Sequence, residues 1–418
     1  MKATLWIANR LRLSASAGDN NPTGALIAVI GVALAIVVME ITLCVVSGFK
    51  TQIQNKIIGF DAQITIGRPY DYMTGEQEDF VSLNDALISS INEINNVKAR
   101  PSLSLTLPAM LKTDTDFSGT LFLAHDGAHD FSFEKANIVE GIFPDYINDE
   151  SENEIVISRA IANNLKLNVG DKVFVFFFTD NSLKSRKVSI AGIYDSNMAE
   201  YDKMICYSSL PFLQKVVSVD SLTGTHIELS GFCIDDINET GQRLQEKLSL
   251  SVQNGELDKL YPVTTVMQSG AIYFNWLSLL DTNVIVIFIL MLAVALFTLV
   301  SSLFLIILDR IPTIGLLKSL GASNRMLSEI FLNMGLKLAI RGILIGNAIG
   351  LMVCVIQQCT GIIKLDPQMY YLTEVPVKIE LLPLIILNAF VIVLSALILY
   401  IPSRSVAGID PTETIRYE

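Results

Sequence analysis

The chain has 418 residues, of which 51% are apolar and 17% charged, and its mean hydropathy is +0.48. Soluble domains usually carry about 25% charged residues, and intrinsic disorder requires low hydrophobicity with high charge, so both classes are disfavoured. The formal net charge of −12 and the pI near 4.8 argue against a nucleic-acid-binding protein, which needs a basic surface.

Four apolar stretches are long enough to cross a membrane as helices. The hydrocarbon core of a bilayer is about 30 Å thick and requires roughly 20 mainly apolar residues. The predicted transmembrane helices cover residues 24–46, 284–308, 330–356 and 381–401. The sequence therefore predicts a membrane protein with four transmembrane α-helices.

Three charged residues fall inside these predicted spans. Glu40 lies in the first span, and Lys337 and Arg341 lie in the third. The two cations are one helical turn apart, and we expect both to extend toward the near headgroups. At about 1.5 Å per residue, Glu40 lies near the opposite end of its own span. An ion pair between Glu40 and either cation is therefore not expected.

The distribution of basic residues predicts the orientation of the chain. The segments on the side of the termini contain eight Lys and Arg, against two in the loop 357–380. Because basic residues accumulate in cytoplasmic loops, both termini are predicted in the cytoplasm. The predicted cytoplasmic segments are 1–23, 309–329 and 402–418, and the predicted extracytoplasmic segments are 47–283 and 357–380. For residues 1–23, an interfacial helix and a short basic tail stay open.

The segment 47–283 carries the acidic charge of the chain. It contains 32 Asp and Glu against 18 Lys and Arg, a net charge of −14, whereas the remainder has a net charge of +2. Short β-rich runs alternate there with helical patterns, which predicts a large α+β domain between transmembrane helices 1 and 2. Strands are predicted at 62–66, 102–107, 120–124, 173–178, 187–193, 204–207, 225–229 and 262–267. Helices are predicted at 80–94, 158–165 and 237–248, and the segment 269–280 is predicted to continue into the second span.

The sequence offers few residues for catalysis or metal binding. No third ligand lies near His125 and His129 in the sequence, so this pair is predicted in a solvated loop, and His226 is the only other histidine. Cys206 and Cys233 share the outer segment, but the sequence leaves their pairing open. The phosphate-binding pattern G-x-x-x-x-G-K-[ST] is absent. We therefore predict no active site, no metal site and no cofactor bound by this chain.

A short amphipathic helix is predicted between the second and third spans. Pro312 suits the first turn of a helix, and Gly321 suits its end. Ile314, Leu317 and Leu320 are spaced three residues apart and are predicted to form one apolar stripe. Such a helix either lies in the headgroups or inserts into a cleft of a cytoplasmic partner.

The residues of this loop carry a family resemblance. The run Ile314-Gly315-Leu316-Leu317-Lys318-Ser319-Leu320-Gly321-Ala322-Ser323 is similar to the coupling helix of FtsX-like (MacB-type) ABC transporter permeases. One span, a large outer domain and three further spans is also the topology of this family. Residues 410–418 resemble its P-x-E-x-x-R-Y-E tail. The resemblance implies that residues 314–322 dock onto a separate ATPase subunit, which binds the ATP and magnesium.

Within this family, the chain looks most similar to the lipoprotein-releasing (Lol) permeases. The supporting segments are 7–10, 47–49, 59–66, 154–171, 191–194, 200–202, 369–371 and 374–377. The resemblance implies a multi-pass subunit of the bacterial inner (plasma) membrane, paired with an identical or a different permease, that releases acylated lipoproteins. The connection 179–186 looks too short for the hairpin with which one permease type of this family receives a periplasmic chaperone, so chaperone docking on this subunit stays open.

The resemblance also implies an apolar cavity between the spans that accepts the acyl chains. The residues predicted to line it are Met39, Leu43, Phe288, Met291 and Leu292. Asp281 is predicted either to meet a substrate amino group or to lie solvated at a helix end. Two other functions stay open. One is a permease that transmits force to a cell-wall hydrolase or an efflux duct without moving a substrate, and the other is a generic drug or peptide exporter.

Overall fold

A computed structural model describes residues 23–68, 80–94, 101–147, 153–179 and 182–405 of the chain. The predictions for residues 1–22 and for the tail beyond residue 405 lie outside this part. The chain divides into two compact units. One, here called the sheet unit, comprises Gln52–Trp276 and Leu365–Thr373, and the remainder forms the helical unit.

The described residues contain thirteen α-helices, four of which are candidate membrane spans. In chain order the helices are α1 (Thr23–Phe60), α2 (Asp85–Ile94), α3 (Ser132–Ala136), α4 (Arg159–Leu165), α5 (Ala199–Asp202), α6 (Leu210–Val217), α7 (Ile237–Gln253), α8 (Val266–Ser269), α9 (Ala271–Asp309), α10 (Ile311–Ser319), α11 (Asn324–Thr360), α12 (Pro367–Tyr370) and α13 (Leu381–Ser405). Helices α1, α9, α11 and α13 are long and apolar enough to cross a membrane. They correspond to the four predicted spans.

All four of these helices are longer than the predicted spans, and three of them are much longer. Helices α1, α9 and α11 contain 38, 39 and 37 residues, which corresponds to about 55–58 Å at 1.5 Å per residue. This length is nearly twice the thickness of a hydrocarbon core of about 30 Å. The prediction that 269–280 continues into the second span is confirmed from Ala271 onward, whereas Ser269 ends the separate helix α8. Helix α11 begins at Asn324, inside the segment that was predicted as the cytoplasmic loop.

Three glycines of α11 permit close packing of the first and third spans. Gly342, Gly346 and Gly350 are buried and spaced four residues apart, so they lie on one face of the helix. A Cβ atom on Gly342 or Gly346 would lie 2.7 Å from the Cβ atom of Val32 or Ile36 on α1. Small residues at this spacing let two helical backbones approach each other in a membrane. A larger side chain here therefore has to push the helices apart.

The sheet unit is built on one large mixed sheet. The strands of the described residues are β1 (Ile64–Gly67), β2 (Val81–Ser82), β3 (Ser102–Lys112), β4 (Phe117–His125), β5 (Ile138–Gly141), β6 (Glu154–Ser158), β7 (Lys172–Thr179), β8 (Ser182–Tyr194), β9 (Ile205–Tyr207), β10 (Thr223–Gly224), β11 (His226–Leu229) and β12 (Val263–Thr265). The order in the sheet is β12-β1-β11-β3-β4-β9-β6-β8-β5, and β7 pairs with β3 and β8. The pairs β4–β9 and β6–β8 are parallel, the other pairs are antiparallel, and β2 and β10 form a separate pair.

Most elements of the sheet unit agree with the sequence prediction. All eight predicted strands are present, as β1, β3, β4, β7, β8, β9, β11 and β12. Strands β2, β5, β6 and β10 were not predicted. The helix predicted at 80–94 begins only at Asp85, because Val81 and Ser82 pair with β10. The helices predicted at 158–165 and 237–248 are α4, whose N-terminus is capped by the Ser158 side chain, and α7.

The hairpin β7–β8 is tighter than predicted. The two strands pair along their whole length, from Lys172 opposite Ser189 to Thr179 opposite Ser182. The connection between them is therefore shorter than the predicted 179–186, because the strands extend further than 173–178 and 187–193.

Candidate functional site

The predicted coupling helix is present as α10, between α9 and α11. Pro312 lies in its first turn, and the helix ends at Ser319. Gly321 then adopts a φ of +90°, in the left-handed region that favours glycine. The side chain of Ser323 caps α11 by accepting a hydrogen bond from the backbone N–H of Met326. The predicted position and both predicted ends of this short helix are confirmed.

The predicted apolar stripe on α10 is wrong in part. Ile314 is 1% exposed and Leu317 packs against the apolar cluster of the helical unit. Leu320, in contrast, is 76% exposed, because α10 ends at Ser319 and Leu320 no longer follows the helical spacing. Leu316, which was not assigned to the stripe, is 60% exposed. The outer side of this segment is therefore also apolar.

The other predicted docking residues divide between the two sides. Gly315 is buried, Lys318 and Ala322 are half-buried, and Ser319 and Gly321 are exposed. On the inner side, a cavity of about 10 Å³ separates α10 from the first turns of α11, which is about the space of one water molecule. A small ligand does not fit there. The outer side alone is available for contact with another protein.

The residues predicted to line an acyl-chain cavity are only partly brought together. Met39 is 1% exposed inside the apolar cluster of the helical unit, and Phe288, Met291 and Leu292 pack at the edge of that cluster. Leu43 packs against a second, separate apolar cluster. Phe288, Met291 and Leu292 stay half-buried, so the cavity that these residues would line stays a prediction.

A larger cavity, of about 190 Å³, lies between α1, α9 and the residues before α13. Its lining includes Leu43, Lys50, Asp281, Lys378 and Glu380. The Lys50 Nζ atom lies 2.6 Å from both carboxylate oxygens of Asp281, and the Lys378 Nζ atom lies 2.7 Å from Glu380 Oε1. Asp281 is therefore ion-paired and lies inside α9, not at its end, while its side chain stays 56% exposed. Its partner Lys50 lies on another helix and was not predicted.

A buried carboxylate lies in the first span. Glu40 is 0% exposed, and neither carboxylate oxygen has a hydrogen-bond partner in the described part of the chain. Gly350 packs directly against this carboxylate. Among the described residues, neither Lys337 nor Arg341 donates a hydrogen bond to Glu40. The extension of these two cations toward the headgroups stays a prediction.

The histidines do not lie in a solvated loop, and that prediction is wrong. His125 is 6% exposed and His226 is 4% exposed, and the rings of His125 and His129 stack with a centroid distance of 3.8 Å. Glu228 of β11 contacts all three histidines. The sequence missed this group because the third potential ligand comes from a strand far along the chain.

Two family profiles match the chain. Residues 25–228 match the MacB-like periplasmic core domain, and residues 285–411 match the FtsX-like permease C-terminal domain. A MacB-like periplasmic core domain followed by an FtsX-like C-terminal domain with candidate membrane spans is the domain combination of a membrane permease. The chain is an ABC-type permease of the FtsX/MacB family, which comprises permease subunits of ABC transporters and not enzymes.

Similar proteins extend over nearly the whole chain. The lipoprotein-releasing system transmembrane protein LolC of Xylella fastidiosa is 22% identical, over 93% of this chain and 93% of that protein. The lipoprotein-releasing system transmembrane protein LolE of Haemophilus influenzae is 22% identical, over 95% of this chain and 96% of that protein. The crystal structure of the periplasmic region of MacB from Actinobacillus actinomycetemcomitans is 14% identical and covers 51% of this chain and 92% of that one, with a TM-score of 0.33.

Proposed function

We propose that this chain is the permease subunit of an ABC transporter that releases lipoproteins from the bacterial inner membrane toward the outer membrane. The similarity along 93% of the chain to a transmembrane protein named for lipoprotein release carries the proposal. Each buried methylene of an acyl chain contributes about 0.8 kcal/mol to membrane anchoring. Lipoproteins therefore do not leave a membrane unaided, and the process needs an energy source.

In this proposal the energy comes from a separate ATPase subunit, which binds the ATP and magnesium. It docks on the outer side of α10, where Leu316 and Leu320 are exposed. Both termini and α10 then lie in the cytoplasm. Two permeases, identical or different, face each other through their first two spans. No residue of this chain performs covalent chemistry.

The acyl chains lie against the half-buried side chains of α9 in this arrangement. Phe288, Met291 and Leu292 form the contact surface, and the buried Met39 supports it from behind. Burial of such side chains against an acyl chain removes apolar surface of both from their surroundings. We expect the second permease to complete this surface, since Phe288, Met291 and Leu292 are only half-buried in this chain.

In this proposal the polar part of the substrate binds to the charged groups that line the cavity between α1 and α9. Asp281 and Leu43 line the same cavity. Since Asp281 is paired with Lys50, a substrate amino group has to replace the Lys50 ammonium group there. This exchange leaves the net charge at Asp281 unchanged, and the Asp281 side chain is 56% exposed.

Depletion of the chain in its host tests the proposed function. Pulse-labelled lipoproteins should remain in the inner membrane after depletion, and expression of the wild-type chain should restore their release. Reconstituted proteoliposomes that contain the permease pair, the ATPase and a labelled lipoprotein should show release only with ATP. Unchanged release after depletion would contradict the proposal.

The proposed orientation predicts a defined pattern of cysteine labelling. Cys206 and Cys233 are both free, Cys206 is buried and Cys233 is exposed, so Cys233 is the suitable reporter. In a Cys359→Ser chain, a membrane-impermeant maleimide added to intact spheroplasts should label Cys233. The additional substitution Cys233→Ser should remove the signal. Labelling that occurs only after the membrane is ruptured would place the sheet unit on the cytoplasmic side.

One alternative function has specific structural support. Helix α9 is continuous over 39 residues, and the pairing of Thr179 with Ser182 leaves little chain for a chaperone-binding hook at the end of β7–β8. Both features suit a permease that transmits force without moving a substrate. In that case ATPase docking persists, while depletion leaves lipoprotein release unchanged. If lipoproteins are released, the chaperone docks on a different permease of the pair.

A further inference from the structure

All three histidines of the chain meet two glutamates in the sheet unit. His125 ends β4, His129 lies in the turn that follows, and His226 begins β11. Glu228 lies two residues further along β11, and Glu134 belongs to the short helix α3. All three histidines of this 418-residue chain therefore lie in one cluster.

The register of the sheet brings these residues together. His226 pairs with Ser104 on β3, and Ser104 pairs with His125 on β4, so the three residues form a row across three strands. Glu228 points to the same face as His226, because side chains alternate along a strand with a period of two. The turn after β4 places His129 on the same face, where its ring stacks on the ring of His125 with an interplanar angle of 9°.

Three potential ligand atoms converge in this group. Glu228 Oε2 lies 3.3 Å from His125 Nδ1 and 3.2 Å from His129 Nδ1. One ligand atom from each of these three residues lies within 4.8 Å of the other two. Two imidazole nitrogens and one carboxylate oxygen are a ligand set that zinc accepts, with a fourth position open to water.

The neighbouring groups hold these ligands in suitable orientations. His129 Nε2 lies 3.0 Å from Glu134 Oε1, so a proton on Nε2 leaves the Nδ1 lone pair free for a metal. His226 Nε2 lies 3.1 Å from Glu228 Oε1 and fixes the other oxygen of that carboxylate. The Ser104 hydroxyl lies 2.8 Å from His125 Nδ1, so a metal ion on this nitrogen has to replace that hydrogen bond.

The group also requires positive charge. Glu134 and Glu228 are 2% and 6% exposed, and Glu134 Oε2 has no hydrogen-bond partner among the described residues.

Protons and a metal ion are the two possible sources of that charge. Two protonated imidazoles stacked in parallel at 3.8 Å repel each other, which disfavours protonation of both rings. A single divalent cation balances the carboxylates without a like charge on both rings. Because each Nδ1 lone pair lies in its ring plane, the two rings have to turn out of the parallel stack to bind one ion.

We propose that His125, His129 and Glu228 bind a zinc ion, and that His226 and Glu134 are positioning residues that orient these ligands. The ion connects the turn after β4 to strand β11. This inference goes beyond the proposed transport function and does not depend on it.

The proposed zinc site lies next to the end of the first long helix. Phe133, the neighbour of Glu134 in α3, packs edge-to-face on Phe60 with a centroid distance of 5.0 Å. Gly59 leaves room for the Phe133 ring. An ion that fixes His129 and hence Glu134 therefore also fixes α3 against the last turn of α1. Loss of zinc should loosen this contact.

Metal analysis of the full-length protein tests the site directly. The chain is purified in detergent with an affinity tag that contains no histidine, and zinc is measured by mass spectrometry before and after incubation with zinc and dialysis. We expect one zinc ion per chain. Because the chain has three histidines, all in this cluster, X-ray absorption that shows at least two imidazole ligands at about 2.0–2.1 Å locates the ion here without any substitution.

Variants then assign the individual roles. His125→Ala and His129→Ala should each lower zinc affinity at least about 100-fold, and Glu134→Gln should lower it about 10- to 100-fold, as expected for a group that orients a ligand. Asp130→Asn is the matched control, since this exposed carboxylate lies beside His129 but outside the cluster, and it should bind zinc normally.

Two outcomes would overturn the proposal. One is a wild-type chain that retains no stoichiometric zinc, or zinc without imidazole ligands, which would leave a cluster that is balanced by protons alone. The other is unchanged zinc affinity in folded His125→Ala and His129→Ala chains. If these variants do not fold, the X-ray absorption of the wild-type chain still decides.

Discussion

A chain that carries both Leu316→Asp and Leu320→Asp should lose its ATPase partner during purification. The two leucines are 60% and 76% exposed on the outer side of the α10 segment, and burial of a leucine side chain contributes about 1.5–3 kcal/mol. Replacement of two such contacts by carboxylates should weaken docking at least about 100-fold. The measurement is co-purification of the ATPase, together with binding of the purified ATPase to the permease in detergent.

The control for this experiment is a pair of equally exposed leucines in the sheet unit. Leu222→Asp with Leu250→Asp adds the same charge at positions 56% and 53% exposed and should leave ATPase binding unchanged. Leu317→Asp is not a useful test, because Leu317 packs against the apolar cluster and its loss destabilises the helical unit itself. Retention of the ATPase by the Leu316→Asp, Leu320→Asp chain would show that α10 is not the docking site.

Gly346→Leu should destabilise the helical unit by about 1–3 kcal/mol, the usual cost of an overpacked core. A Cβ atom at this position lies 2.7 Å from Ile36 Cβ and 2.8 Å from the carbonyl oxygen of Ala33, so α1 and α11 have to separate. The effect is measured as a lower midpoint of thermal unfolding in detergent and a lower yield of monodisperse protein.

Two further variants give this result a specific interpretation. Ala348→Leu places the same side chain on the exposed side of α11 and should change the unfolding midpoint little. Ile36→Ala, combined with Gly346→Leu, removes the Ile36 Cγ2 atom, which lies 2.9 Å from the new Cβ atom. It keeps the 2.7 Å contact with Ile36 Cβ, so it should restore only a small part of the lost stability. Equal loss of stability in Gly346→Leu and Ala348→Leu would show that the glycine face does not hold the two spans together.

Hydropathy was sufficient to locate the candidate spans, because a run of about 20 apolar residues has few other uses. It did not locate their true ends. The chain continues as helix through polar residues such as Gln52 and Asn55 of α1 and Arg325 of α11, since helix propensity and packing, and not apolarity, decide where these helices end. The eight strands were found from β-branched and aromatic runs, whereas the two-residue strands β2 and β10 are too short to give a pattern.

The candidate sites were predictable only where their residues are close in sequence. The loop motif at 314–322 is continuous, and the position of α10 followed from it. Which leucines face outward depends on where the helix ends, and that is a property of the turn at Gly321. Contacts between distant segments, such as Lys50 with Asp281 or His125 with Glu228, follow from helix packing and strand register, which one sequence does not specify.

Helix α9 contains neither glycine nor proline along its 39 residues, and these are the residues at which long helices commonly kink. At 1.5 Å per residue it is a rod of about 58 Å. If such a rod tilts by about 10° about one end, the other end moves by about 10 Å. We therefore expect α9 to act as a lever, in which the motion at the far end equals the length of the helix multiplied by the tilt that the ATPase imposes on it.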